Sequence, residues 1–503
     1  MRARLTIDPE RILGTIDPNI YGQFLSRRPG CSEGGLYDPD APTADQRGIR
    51  RDVSQAIADL KPPLIRWPGG CTGTSYHWLD GVGPRGHRPQ TIDLHFGWPV
   101  HYDFGTAEFI TWCRSIGAEP HLNLAMGTGT LDEAAAWLEY CNGSYRTRWA
   151  ELRRQHGYEE PFAVQYWQLG NEMFGPWEIG DCQPAEYAVT AREWAKVLRR
   201  LDPTIRLLAV GGNSNDNGQW AWEVFPVVAP YVDYVTFHSY WRTPEAPGSD
   251  PWYHLLAGPH EAERKIEQLA TIADTVYRTA PANSRPAARR VHVACTEWNT
   301  MPGKSFMEGY SGIGSFQPSY HLHDALAVAT FSNILTRHCR QITLATIAQS
   351  INVVGLIMVD QHGMWREPTY WAWYLATNYH GPTVLDPWLS CDTFSCPERL
   401  LDGLPILDIA VTLDDKQQRL YLSLVNRHER ESIDLDVKLI EAATTAEDSR
   451  SYVLYHDDPQ AMNLRNAPET VQPRTETVHL EGSRWTYALL PHSYTVLSLA
   501  LAR

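Results

Sequence analysis

Between residues 15 and 382 a short apolar run gives way to a segment of helical spacing eight times over. The runs are "NIYGQFL" (19–25), "PPLIRWPGG" (62–70), "EPHLNLAMG" (119–127), "FAVQYWQLGNE" (162–172), "TIRLLAVGG" (204–212), "VDYVTFHSY" (232–240), "RVHVACTEWN" (290–299) and "RQITLATIAQ" (340–349). This alternation is the signature of a parallel sheet with crossover helices. The intervening segments carry their own helix signals. In "TLDEAAAWLEYCNG" Thr130 and Glu133 form a capping box, an Ala-rich run follows, and Asn142-Gly143 supplies the stop. In "QPAEYAVTAREWAKVLRRLDP" Pro184 suits the first turn, Ala188, Ala191, Ala195 and Leu198 make one apolar stripe, and Asp202-Pro203 ends the helix. Eight repeats over this length predict an α/β fold of the (β/α)8 TIM-barrel type. A doubly wound open sheet is the second reading, but the Gly-rich turn expected after its first strand is missing.

After residue 383 the pattern changes to short alternating strands: "DIAVTLDD", "QRLYLSLVNRH", "SIDLDVKLI", "TVHLEG" and "WTYALLPHSYTVLSLAL". Residues 383–503 therefore read as an antiparallel β-sandwich, joined by an N-terminal strand, "RARLTID", within residues 1–14.

Composition narrows the function. A chain of 503 residues is too long for one ordinary core, which fits a large barrel with a satellite domain. The formal charge of −15 disfavours nucleic acid or an anionic membrane as partner and leaves a neutral substrate as the better fit. "MRARLTIDPERIL" lacks the apolar stretch of a signal peptide, and no unbroken apolar run is long enough to span a bilayer, so a cytoplasmic location is expected. Nine cysteines, an odd number, read as reduced thiols rather than a disulfide framework. Neither Cys-x-x-Cys nor His-Glu-x-x-His occurs, so no metal is expected. The many Trp and Tyr residues offer flat faces for sugar rings, although core packing is their commoner use.

In a barrel of this type the strand C-termini line the active site. The fourth run ends in Asn171-Glu172 and the seventh in Glu297, 297 − 172 = 125 residues apart in sequence yet on nearby parts of one rim. Glycoside hydrolysis needs such a pair, one carboxyl to protonate the leaving oxygen and one to attack or to activate water. A lone Glu is usually a surface residue or a cap, but both of these follow runs of buried type, where an unpaired charge is costly. Arg66 could keep the nucleophile charged, Tyr240 could donate to it, His238 could orient it or the sugar, and Gln349 could bond hydroxyls. Each also has a plain structural use, as a core ion pair, a core histidine or a helix cap. Trp67, Trp98, Trp177, Trp241 and Trp298 are expected to wall the cup.

The stretches "RWPGGCTGTSYHWLDGVGP", "WQLGNEMFGPWEIGDCQPAEYA", "TEWN" and "AQSINVV", with "RLTIDPE" near the start and "LPHSYTVLSL" near the end, resemble family-51 glycoside hydrolases, chiefly α-L-arabinofuranosidases. The resemblance implies a retaining, exo-acting enzyme that releases terminal furanosyl residues without a cofactor, commonly as a homohexamer. By the same resemblance Glu172 is the acid/base, Glu297 the nucleophile, Asn171 the ligand of the sugar 2-hydroxyl, and Tyr240 the residue steadying Glu297. Arg66, Cys71, Trp98, Trp177, His238, Gln349 and Ser26 fall among the substrate-binding positions. Three positions depart from the pattern: Ser26 stands where the family has a furanose-touching Glu, Cys71 follows "PGG" where Asn is common, and Phe174 replaces the acid of "NEMDGPW". These changes spare the catalytic pair and alter the pocket, leaving open a β-D-galactofuranosidase or β-glucan hydrolase, or an inactive carbohydrate-binding relative. A metal-dependent barrel hydrolase would need His-x-His on the first strand, which "NIYGQFL" lacks.

Overall fold

The computed structural model describes residues 1–213, 216–242, 250–279, 291–301, 320–445 and 448–502. Eight strands close into one parallel barrel: β1 (Gly22–Phe24), β2 (Leu64–Trp67), β3 (Glu119–Leu124), β4 (Tyr166–Leu169), β5 (Arg206–Asn213), β6 (Tyr234–Trp241), β7 (His292–Thr300) and β8 (Ile342–Ala348). They neighbour one another in chain order, and β8 returns to β1 through Thr346 opposite Gly22 and Ala348 opposite Phe24. Five fall inside the apolar runs of the sequence, and β5, β6 and β7 each extend one residue past theirs. Helices follow the strands as crossovers, from Arg51–Ala58 after β1 to Pro368–Asn378 after β8.

Side chains two apart on a strand share a face, so Leu64 lies under Arg66 of β2, and Tyr234 lies on the same face as Tyr240 of β6. Leu64, Leu208, Tyr234, Ala294 and Leu344 accordingly form a cluster of their own, a plug separate from the main core between strands and helices. This plug carries the polar layer of the site above it.

Of the remaining strands, six short ones form three two-stranded ribbons and the others build two sheets. One orders Trp388–Ser390, Arg2–Ile7, Ile433–Leu439 and Arg484–Leu489, and the other joins seven strands from Ile12–Thr15 to Arg474–Thr477. Arg2–Ile7 pairs parallel with Ile433–Leu439, an exception in an otherwise antiparallel arrangement. The run "WTYALLPHSYTVLSLAL" is two strands rather than one. Pro491 has no amide hydrogen to give a ladder, and the chain breaks there into Arg484–Leu489, paired in the first sheet, and Ser493–Ala500, paired in the second. "TVHLEG" is mostly irregular, with the strand lying earlier at Arg474–Thr477. The buried helix Leu322–Arg337 joins barrel and sheets: Asn333 donates to Asp408 at 2.8 Å and Arg337 pairs with it at 3.1 Å. All nine cysteines are free, and among the described residues no helix is long and apolar enough to cross a membrane.

One buried acid ties this scaffold to the barrel mouth. Glu367 is 1% exposed and accepts hydrogen bonds from the Trp365 indole at 2.8 Å and from the Tyr320 amide at 3.3 Å. The Tyr320 hydroxyl in turn meets Asn299 of β7 at 3.2 Å and the Val354 carbonyl at 2.9 Å. Burial pushes the Glu367 carboxyl up from 4.5 to about 8, against the pull of these donors. A value raised in the folded state means a stabilising contribution that is full below 4.5 and is lost as the pH rises through 8. Glu367→Gln should therefore flatten the fall in Tm between about pH 5 and about pH 9. Parallel melting curves for the two proteins across that range would refute this assignment.

Candidate active site

The C-terminal ends of the barrel strands surround a cavity of about 540 Å³, within the roughly 300–1,000 Å³ usual for small-ligand sites. Glu172 and Glu297 both line it. After β4 ends at Leu169 the chain turns through Gly170, at φ 79°, and Glu172 itself has φ 42°. A left-handed backbone at a residue with a Cβ costs roughly 1–2 kcal/mol, and a hydrogen bond from the Gly175 amide to the Glu172 carbonyl at 2.7 Å closes the turn around it. The carboxylate is thereby brought over the barrel mouth instead of continuing the strand. Glu297 lies within β7, where an irregularity in the pairing between Cys295 and Trp298 shifts the alternation that puts Ala294 in the plug and brings Glu297 to the cavity.

One oxygen of Glu172, one nitrogen of His238 and one oxygen of Glu297 lie within 4.8 Å of one another. The two acids nevertheless live in different surroundings. Glu297 accepts from Arg66 Nη1 at 2.6 Å on Oε1 and from the Tyr240 hydroxyl at 2.8 Å on Oε2. Burial alone would raise its carboxyl, but His238, Arg66 and the two hydrogen bonds outweigh burial and hold it below its ordinary value. Burial and the neighbouring Glu297 push the Tyr240 phenol well up, so it stays a donor. Glu172 meets His238 Nδ1 at 2.7 Å and the Trp177 indole N–H at 2.6 Å. His238 Nε2 lies 3.0 Å from the Thr296 hydroxyl.

Arg66 is fully buried. Besides Glu297 it holds the Asn171 side-chain oxygen at 2.6 Å, and its guanidinium lies 4.6 Å from the Phe24 ring centre. Asn171 is also fully buried and donates to Glu178 at 2.8 Å, so Arg66 and Asn171 stand behind the cavity wall. Ser26, Cys71, Trp177, His238, Tyr240 and Gln349 line the cavity itself. Ser26 accepts from the Arg28 amide at 3.1 Å, and Gln349 Oε1 lies 3.5 Å from the Cys31 thiol.

The expected tryptophan wall is largely absent. Trp67, Trp241 and Trp298 are fully buried in the core. Each directly follows an inward-facing residue, Arg66, Tyr240 or Glu297, and alternation along a strand turns the next side chain outward to the helices. Trp67 stacks on Phe109 at 5.0 Å, and Trp241 and Trp298 both meet Phe331. Trp98 does not line the cavity either. It stacks behind Phe96 at 4.6 Å, and Phe96 and His95 present the surface in its place. Only Trp177, half exposed, stands at the mouth.

Two residues were not singled out from the sequence. A Cβ on Gly70 would lie 2.4 Å from Glu297 Oε1 and 3.3 Å from the Asn171 amide nitrogen, so only a glycine leaves room for the carboxylate. Glu178 is 3% exposed beside Cys71 and Asn171, and burial followed by the nearby Glu172 charge pushes it up to about 8. Its signal was a carboxylate inside "GPWEIG", an aromatic, Gly-rich loop directly after a strand-end acid.

Comparison with known proteins agrees with this architecture. Residues 56–254 match the family described as Alpha-L-arabinofuranosidase 1 domain, and residues 296–493 match Alpha-L-arabinofuranosidase C-terminal domain. Alpha-L-arabinofuranosidase C of Emericella nidulans is 35% identical, covering 98% of this chain and 96% of the relative. Intracellular exo-alpha-(1->5)-L-arabinofuranosidase 1 of Bacillus subtilis is 31% identical over 99% of both chains. The α-L-arabinofuranosidase of Thermotoga maritima, solved as an arabinose complex, superposes with a TM-score of 0.89 at 31% identity and covers 99% of each chain. A TIM barrel with a β-sheet domain, two acids at one mouth and near full-length likeness together place this chain in the α-L-arabinofuranosidase family of glycoside hydrolases, family 51.

Proposed function

We propose that the protein is a retaining, exo-acting α-L-arabinofuranosidase that works by double displacement, with Glu297 as nucleophile and Glu172 as acid/base. The observation that carries this reading is the pair of carboxylate oxygens within 4.8 Å of each other. Retaining enzymes keep their carboxyls roughly 5–5.5 Å apart, whereas inverting enzymes need roughly 6.5–9.5 Å to admit a water. Glu297, held ionised by Arg66 and Tyr240, attacks the anomeric carbon as Glu172 gives its proton to the departing oxygen. Once the glycosyl-enzyme has formed, Glu172 takes a proton from water, which releases the sugar with its configuration kept. Gln349, which lines the cavity, is assigned to sugar hydroxyls, while Asn171, behind the wall, is assigned to holding Arg66 and Glu178 in place rather than to the sugar itself.

The names of the relatives support arabinofuranose as the sugar. Ser26 and Phe174 at the cavity wall favour a second reading, a differently decorated furanose such as galactofuranose, since the family's carboxylate is missing there. The catalytic unit is assigned to residues 15–382, with 383–503 and the first 14 residues as the supporting sheet domain. A cytoplasmic location is supported by the free cysteines and by the intracellular Bacillus relative. A homohexamer rests on the family resemblance, and light scattering of the purified protein tests it.

Glu172→Ala should lower hydrolysis of substrates with poor leaving groups by roughly 10²–10⁴-fold while sparing those that depart without a proton. Glu297→Ala should abolish both, and NMR of the first product should show the starting anomeric configuration. Turnover by Glu297→Ala, or an inverted product, would overturn the roles. A panel of nitrophenyl arabinofuranoside, galactofuranoside and glucoside separates the sugar readings.

Tyr240→Phe removes a donor from Glu297, so its carboxyl titrates higher and the acidic limb of kcat/KM moves to higher pH. The accompanying loss in kcat should be on the order of tenfold. An acidic limb that stays put would mean that another group ionises there.

A further inference from the structure

Beside the two catalytic acids, the cavity wall holds a second cluster that hydrolysis does not use. The Cys71 sulfur, one His95 nitrogen and one Glu178 oxygen lie within 4.8 Å of one another. We propose that these three side chains form a binding site for a zinc-class divalent cation, open on one side to the sugar cavity.

Three features point to a ligand rather than to packing. The residues come from separate segments, the turn after β2, the connection ahead of Thr106–Ser115, and the loop after β4, so no single helix or turn accounts for their meeting. Glu178 is 3% exposed, its Oε1 is fixed by Asn171 at 2.8 Å, and the other side chain it hydrogen-bonds is the Cys71 thiol, whose proton a cation would replace. A carboxylate oriented by an outer hydrogen bond is the usual preparation of a metal ligand. His95 is likewise set in place, because Asp93 accepts from the His95 and Phe96 amides at 3.1 and 2.9 Å.

The donor set selects the ion. Thiolate, imidazole and carboxylate together suit Zn²⁺ and Co²⁺, whereas Mg²⁺ and Ca²⁺ take oxygen. Bonds of roughly 2.0–2.3 Å in a tetrahedron ask the three atoms to draw somewhat closer, which side-chain rotation supplies. Charge sets a condition on binding. Arg28 and Arg242 share the cavity wall and oppose a cation there, while Glu297 and Glu178 attract it. Because burial favours the protonated forms of the Cys71 thiol and the Glu178 carboxyl, the ion binds by displacing their protons. Since Cys71 and His95 line the cavity, the fourth position faces the space assigned to the sugar, where water or a sugar hydroxyl completes the shell. That last point rests on the proposed function, whereas the cation site itself does not.

Glu172, His238 and Glu297 form the competing cluster, but it contains no sulfur. Titration of the metal-stripped full chain with Co²⁺ distinguishes the two, because only the Cys71 site gives a thiolate-to-cobalt charge-transfer band. One equivalent should bind with that band. Cys71→Ser should abolish the band, and His95→Gln and Glu178→Gln should each weaken binding by tenfold or more, with thermal melts confirming that the variants fold. No saturable band in the wild type, or a band that survives Cys71→Ser, would overturn the site. Hydrolysis by the stripped protein, followed in parallel, reports separately on the glycosidase reading, which needs no metal.

Discussion

A guanidinium with no access to water organises the mouth of this barrel. Arg66 comes from β2, Glu297 from β7 and Asn171 from the end of β4, and the arginine bonds both partners at 2.6 Å. Removing one member of a buried charged pair costs roughly 3–5 kcal/mol, so strand ends on different sides of the barrel are locked to a common geometry. Asn171 passes the constraint on to Glu178, and Tyr240 closes the other side of Glu297. The precision of the site is thus inherited from one ion pair held above an apolar plug.

The same network sets two chemically identical side chains in different surroundings. Two strong donors and a nearby imidazole favour the charged form of Glu297. Glu172 is reached through a left-handed turn and meets one His238 nitrogen and the Trp177 indole N–H, which donates to it. The roles proposed for the pair draw on this asymmetry, in which Glu297 is the carboxyl held toward its charged form.

The barrel was legible because each parallel strand, covered by helices, is a continuous apolar run with turn residues at its ends. Both acids could be found because a charge after such a run has little structural use. Less was legible where tertiary pairing decides. Nothing local separates Arg484–Leu489 from Ser493–Ala500 except Pro491, and Arg450–Leu454 carries too weak an alternation to mark a strand. The aromatic wall failed for a period-2 reason, since a tryptophan next to an inward-pointing residue must point outward. Glu178 and Gly70 were hidden because their importance lies in what stands beside them in space, which spacing along the chain does not encode.

Gly70 carries a practical corollary. With 2.4 Å between a would-be methyl and the Glu297 oxygen, a side chain at this position must displace that carboxylate. Directed evolution toward new sugars therefore has a fixed floor and adjustable walls: diversity belongs at Ser26 and Phe174, and a codon changed at residue 70 is a wasted clone.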